Sequence, residues 1–346
     1  MPVSIKKKIL VIQTAFIGDA ILATSVLEKL HEHFPQAQID YLVRKGNESL
    51  FRQHPFIHKL YVWNKKGNKY KSLLKILKEI RKQKYLYLIN LQRYLSTGVV
   101  TTFSKAAVKI GFDKNPMSKY FDKVFKHNMQ SGMHEIERNH QLIAAITDPN
   151  PAMPKLYPTK QQFEKVEKYK KTAYVCISPA SVWFTKQLPA EKWIELIKTL
   201  EKNYKIYLLG GPGDKNLCEN IRLKAESPKT FNLAGKLSLL ESAALMKDAT
   251  MNYTNDSAPM HLASSMNAPV TAVYCSTVPA FGFGPLSDDS YIVETAKKLS
   301  CRPCGLHGRR SCPQKHFECA QSITVKGLLF GINDLKKNAT RNKKNT

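Results

Sequence analysis

One pattern constrains this chain before any other, and it runs twice. An apolar strand-like run, ILVIQ at 9–13, leads through a short loop, TAFIGD, into a stretch from about 20 to 34. There Ile21, Leu22, Val26, Leu27 and Leu30 fall at helical spacing, and a second strand-like run follows at 38–43. A strand, a helix and a strand in that order imply parallel pairing through a right-handed crossover. Similar units follow, with strands at 59–62 and 85–91 and helices at 71–83 and 96–105. The segment DPNPAMPKLYP, 148–158, carries four prolines and reads as a boundary. Beyond it the pattern restarts with strands at 173–178, 205–209 and 270–274 and helices at 190–202, 216–224 and after Leu237. Another strand, drawn from 246 to 254, runs into the sequence NDSAPMH. The expectation is an α/β chain of two Rossmann-like, doubly wound domains, 1–155 and 156–332, whose strand ends face a central cleft. A basic tail at 333–346 is expected to be disordered.

Composition narrows the class. With 43% hydrophobic and 10% aromatic residues the chain can close packed cores, so a disordered polymer is excluded. It has no run of 18 apolar residues, and the apolar stretch before Gln13 is too short for a signal-peptide core, which points to the cytoplasm. Lys and Arg number 54 against 27 acids, a net charge of +27 that calls for an anionic partner: nucleic acid, an anionic membrane surface or a phosphorylated substrate. The basic residues crowd 65–84, which reads either as a solvated helix face or as a contact with acidic lipid.

The segment Asn255 to His261 has the look of a phosphate seat. A strand that turns sharply into a helix leaves the first helical N–H groups open, and the dipole there favours an anion. Asp256 or Ser257 is expected to cap that helix, Pro259 sits where a missing N–H costs nothing, and His261 lies one turn in. An ordinary capped helix would look the same. In PASVWFTKQLP, Ser181, Thr185 and Lys186 follow a strand and suit a phosphate, though Lys186 also reads as a surface lysine. Asp214, in GGPGDK, can accept from a ribose diol or close a β-turn. Asp19 follows Gly18 where the first strand meets the first helix; it is an N-cap on one reading and a general base on the other. The loop contains no GxGxxG, which disfavours a nicotinamide dinucleotide.

Of seven cysteines, Cys176, Cys218 and Cys275 sit in apolar contexts as buried small residues. Cys301, Cys304, Cys312 and Cys319 open on CRPC and are either ligands of a structural zinc, with His307 and His316 as spare donors, or reduced thiols.

Taken in order, KILVIQTAFIGDAILATSVLEKL, INLQ with IGF, SPASVWFTKQLPAEKW, LLGGPGD, NLAGKLSLLE, TNDSAPMHLASSMNAPV and the late CRPC resemble glycosyltransferase family 9, the ADP-heptose:lipopolysaccharide heptosyltransferases, over roughly residues 6 to 326. The resemblance implies a GT-B fold with the acceptor in the N-terminal unit and an ADP-sugar in the C-terminal one. It implies that Asp19, in the acceptor-side loop with Gly18, is the catalytic base. Ser181 and Lys186 are then phosphate contacts, Asp214 a ribose-side carboxylate, and Asp256, Ser257 and His261 the diphosphate loop. The implied reaction is an inverting displacement that needs no catalytic metal. Its acceptor is the lipid A–Kdo core at the cytoplasmic face of the inner membrane. Ala258 departs from the family's usual Gly, and Phe16 and Ile17 from its usual Ser-Leu. Two alternatives stand beside it: a transferase using another nucleotide-sugar, and a basic nucleic-acid-binding protein. The second is disfavoured because the phosphate-binding features sit at strand ends and not along a basic face.

Overall fold

A computed structural model describes residues 7–129 and 132–344. The chain divides into two compact units, Met1–Tyr157 and Pro158–Thr346. The first carries strands β1 (Lys8–Ile12), β2 (Gln38–Arg44), β3 (Ile57–Trp63), β4 (Tyr87–Asn90), β5 (Val108–Phe112) and β6 (Lys123–Phe125). Its helices are α1 (Ile17–Leu22), α2 (Thr24–His33), α3 (Lys69–Arg81), α4 (Leu95–Phe103) and α5 (Glu135–His140). The second carries β7 (Tyr174–Ser178), β8 (Lys205–Leu208), β9 (Thr230–Asn232), β10 (Met251–Asn255), β11 (Val270–Tyr274) and β12 (Ser290–Glu294). Its helices are α6 (Lys160–Glu167), α7 (Ala190–Leu200), α8 (Lys215–Ala225), α9 (Leu239–Lys247), α10 (Ala258–Ser265), α11 (Glu318–Gln321) and α12 (Val325–Lys344).

Both sheets are parallel, ordered β3-β2-β1-β4-β5-β6 and β12-β11-β10-β7-β8-β9. Counted within its own unit, the second sheet has the same 3-2-1-4-5-6 order as the first, with β7 and β10 in the places of β1 and β4. Strands covered on both faces must be apolar throughout, which is why Ile9–Ile12 and Tyr174–Ser178 are continuous buried runs. Each unit closes its own core. Leu10, Ile12, Leu42, Trp63, Ile76 and Leu88 pack together in the first. In the second, Val175, Ile177, Trp193, Leu196, Ile206 and Tyr253 do so.

Four expectations need correction. The first helix begins at Ile17, not 20, and is interrupted at Ala23, where the Thr24 hydroxyl donates back to the Ile21 carbonyl at 2.6 Å. Asp19 is therefore the third residue of α1, in a first turn where the dipole favours a carboxylate; the N-cap is Phe16. Met246 is helical and β10 starts at Met251: a capping box starts α9, Ser238 N donating to Glu241 at 2.7 Å, and the helix runs on to Lys247. Finally, 333–344 is not a disordered tail but the continuation of α12. Leu328 and Ile332 are buried in the second core, Leu335 packs on it, and the Lys336 ammonium lies 5.0 Å from the Tyr204 ring centre. The proline-rich segment ends tied to α2, with Lys155 N donating to Thr24 at 3.0 Å and the Tyr157 hydroxyl to Glu28 at 2.9 Å. Among the described residues no helix is long and apolar enough to cross a membrane.

Candidate active site

In a doubly wound sheet the strand order reverses at one point, and loops leaving the two strands there diverge to opposite faces, opening a crevice at their carboxyl ends. In the second unit that point lies between β7 and β10. The loop after β7 carries Ser181, Thr185 and Lys186; the turn after β10 carries Asp256 and Ser257. The fold brings them together. Lys186 Nζ lies 2.6 Å from Asp256 Oδ2, and the Thr277 hydroxyl donates to the same oxygen at 2.6 Å. Both charged side chains are largely buried, at 14% and 8% exposure, so the pair is held in a low-dielectric site where its Coulomb attraction is little screened.

Asp256 therefore does not cap α10. Ser257 occupies the N-cap position, but its side chain makes no capping hydrogen bond and its hydroxyl donates to the Asn255 carbonyl at 3.4 Å. The first turn of α10 is thus left without a capping side chain, the condition under which a helix start attracts an anion. Pro259 is within that turn and His261 is buried in the next.

Asn255 received no role from its sequence, yet it joins the two loops. Fully buried, it accepts from Leu188 N at 2.9 Å and donates to the Pro179 carbonyl at 2.8 Å. An amide at the last position of a buried strand, flanked by Thr and Asp, was the available signal. Ser181 is half-buried and accepts from Trp183 N at 3.4 Å, while the Gln187 amide holds its carbonyl at 2.6 Å.

Thr185 differs from its expected phosphate role. At 1% exposure its hydroxyl accepts from Arg309 N at 2.7 Å and from the Ser276 hydroxyl at 3.0 Å, and its own N–H donates to the Arg309 carbonyl at 3.1 Å. It clips the Lys186 turn to the cysteine-rich segment. Gly308 marks how tight that contact is: it has φ +76°, and a Cβ there would lie 2.9 Å from Lys186 Cγ. Asp214, after β8, closes its own turn by accepting from Gly211 N at 2.8 Å. A Cβ at Gly210 would come within 2.7 Å of Asp214 Cβ, so glycine is required for that closure.

Cys301, Cys304, Cys312 and Cys319 line one cavity of about 310 Å³ together with His316. Burial pushes the Cys319 thiol up to about 11, and Cys312, Cys301 and Cys304 all act on it. Cys301 Sγ is 3.9 Å from His316 Nε2. Among the described residues no three His, Cys, Asp or Glu are already drawn together to hold a metal ion.

In the first unit the reversal lies between β1 and β4, and the loop after β1 leads through Gly18 to Asp19, both half-buried. Beside it stands a buried ion pair on α5, Arg138 Nε donating to Glu135 at 3.0 Å. Burial raises the Glu135 carboxyl to about 7 against the pull of Arg138, and the charge of Asp19 adds to the rise. The Tyr41 hydroxyl, donating to the Ala20 carbonyl at 3.2 Å, is raised by burial and then by Asp19. Just past the end of β3, Lys65 donates to the Thr14 carbonyl at 2.6 Å, and burial lowers its ammonium to about 8.

A family profile, glycosyltransferase family 9 (heptosyltransferase), matches residues 73–312. Lipopolysaccharide heptosyltransferase 3 of Escherichia coli is 27% identical over 277 residues, covering 76% of this chain and 82% of that protein. The structure of E. coli ADP-heptose LPS heptosyltransferase II superposes with a TM-score of 0.79 at 20% identity, over 96% of this chain and 99% of that one. The E. coli heptosyltransferase WaaC with ADP-2-deoxy-2-fluoro heptose gives 0.71 at 17% identity, over 96% and 99%. With the α/β GT-B architecture and a profile spanning most of its length, the chain belongs to glycosyltransferase family 9.

Proposed function

We propose that the protein transfers a heptose from ADP-heptose to the inner core of lipopolysaccharide with inversion at the anomeric carbon. The observation that carries this reading is the buried Lys186–Asp256 pair beside the uncapped start of α10. Asp19, at the matching reversal of the acceptor unit, takes the proton of an acceptor hydroxyl as that oxygen bonds to the anomeric carbon. The bond from that carbon to the ADP oxygen breaks, and the departing diphosphate gathers negative charge. Lys186 and the α10 N–H groups, fixed before the reaction, meet that charge without reorganising. Asp256 and Thr277 aim the ammonium, Ser181 and His261 complete the diphosphate side, and Asp214 stands on the ribose side. Metal-independent turnover follows from this electrostatic set. The lipid A–Kdo acceptor puts the reaction at the cytoplasmic face of the inner membrane. The names of the heptosyltransferase relatives support donor and acceptor.

The test is turnover of ADP-, UDP- and GDP-sugars on a lipopolysaccharide core acceptor. ADP-heptose is expected to be the working donor, with Asp19→Asn lowering kcat by about 10² or more and leaving ADP affinity nearly unchanged. Turnover by the asparagine variant at the wild-type rate would remove Asp19 from the chemistry. Preference for a UDP- or GDP-sugar would change the donor, and salt-dependent DNA binding without turnover would favour the nucleic-acid reading.

A second reading concerns the four thiols. Their number and type match a structural Zn²⁺ site, and all four line one cavity. The metal would displace thiol protons and draw Cys301, Cys304, Cys312 and Cys319 inward. Elemental analysis of purified protein is expected to find about one zinc per chain, and a chelator to lower the melting temperature. Metal-free protein of unchanged melting temperature would leave four reduced thiols.

A further inference from the structure

Helix α3 is amphipathic in an uncommon way. Leu73, Ile76, Leu77 and Ile80 face the core of the first unit. The outer side is not simply polar. Lys71, Lys75, Lys78 and Lys82 are exposed and recur at i, i+4, i+7 and i+11, which sets them in one stripe. Alongside that stripe Tyr70 and Leu74, one turn apart, are 69% and 56% exposed. The only acid on the helix, Glu79, is already matched by Lys82 at 3.1 Å and Lys59 at 3.7 Å. At the carboxyl end, Arg81 donates to the Phe103 carbonyl at 2.9 Å, which brings a third large exposed apolar side chain, Phe103 at 51%, beside the same face.

A purely solvated face has no use for Tyr, Leu and Phe in the open, and a phosphate backbone alone rewards the cations but not the apolar groups. Both are rewarded together where anionic headgroups lie above an acyl boundary: cations gain from the surface potential, while an aromatic ring and a leucine bury at the interface. We infer that the outer face of α3 is a docking surface for an anionic lipid bilayer. The inference deepens the reading above, since it gives the lipid-linked acceptor its approach surface. It nonetheless needs no acceptor to be tested.

The experiment is co-sedimentation of the full chain with phosphatidylcholine vesicles and with vesicles in which about one-third of the lipid is phosphatidylglycerol, at low and high salt. Binding is expected only to the anionic vesicles and to weaken with salt. Lys71→Glu/Lys75→Glu/Lys78→Glu, a change of six charges, should weaken it by about 10⁴-fold, at roughly fivefold per charge. Tyr70→Ser/Leu74→Ser should weaken it with every charge retained, and the neutral Lys71→Gln/Lys75→Gln/Lys78→Gln variant should fall between. Equal binding to neutral vesicles, no binding by the wild type, or charge-reversed protein that partitions like the wild type overturns the inference. So does a serine variant that binds as the wild type while duplex DNA competes, which makes the face a nucleic-acid surface. A delipidated, water-soluble acceptor separates this from the function. Turnover there with no vesicle binding sinks the docking alone, whereas vesicle binding with no turnover of ADP-heptose sinks the function alone.

Discussion

The Lys186 ammonium is held by Asp256 and, through that carboxylate, by Thr277, so its position is set by the fold and not by the ligand it meets. A charge-assisted phosphate contact is worth about 1.5–3 kcal/mol, and Lys186→Ala is therefore expected to weaken ADP binding by about tenfold to 100-fold in isothermal titration. An unchanged Kd would show that this lysine serves only Asp256. Glu135 gives a different kind of prediction. Its carboxyl is raised to about 7 in the folded chain, above the ordinary value of 4.5, first by burial. Folding thus favours its protonated form: the stability this contributes is full below about 4.5 and is lost as pH rises through about 7. Glu135→Gln should abolish that part of the slope, so that wild-type melting temperatures fall relative to the variant's between pH 5 and 8. The glutamine also removes the charge partner that Arg138 has once the wild-type carboxyl ionises, above about pH 7; below that the wild-type carboxyl is itself neutral and the glutamine resembles it. Parallel pH profiles for the two proteins would refute the assignment.

The buried central strands β1, β2, β4, β7, β10 and β11 were readable because strands covered on both faces need unbroken apolar runs. The edges were not. β6 presents KVF with two of three residues exposed, and β12 alternates between half-buried and exposed, so neither carries a signal distinct from a loop. The site divides the same way. Asp19, Lys186 and Asp256 follow strand ends and were singled out from that position. The work of Asn255 and the inward turn of Thr185 depend on segments far apart in sequence, 67 and 124 residues for their respective contacts with Leu188 and Arg309. No local pattern reports such pairings. The loop holding Arg309 therefore bears on the proposed donor site, and Gly308 is where this can be measured. Gly308→Ala would force a Cβ against Lys186 and Thr185 at a left-handed φ, whereas Gly305→Ala, at φ +97° with nothing within 4 Å, adds only backbone strain. Both should lower the melting temperature, by about 1–2 kcal/mol of stability for the strain alone, and only the first should also weaken ADP binding. Equal ADP affinity in the two variants would uncouple the loop from Lys186.

The chain has two compact units, Met1–Tyr157 and Pro158–Thr346, with cores that share no strand, and each is expected to melt cooperatively by itself. A ligand stabilises what it binds by mass action, about 2.7 kcal/mol at a hundred times its Kd. With ADP bound by the second unit alone, calorimetry is expected to resolve two transitions, of which ADP raises one and leaves the other in place. A single transition shifted as a whole would show that the units melt together. The repeated strand order has a hereditary consequence as well. Because each half completes its own sheet in the same order, a crossover in the proline-rich stretch ahead of Pro158 hands a descendant one intact half from each parent. If the second half takes the donor and the first the acceptor, as proposed above, a lineage built this way can trade the two separately, and diversify the sugars it joins by recombination before any single loop has to be reinvented.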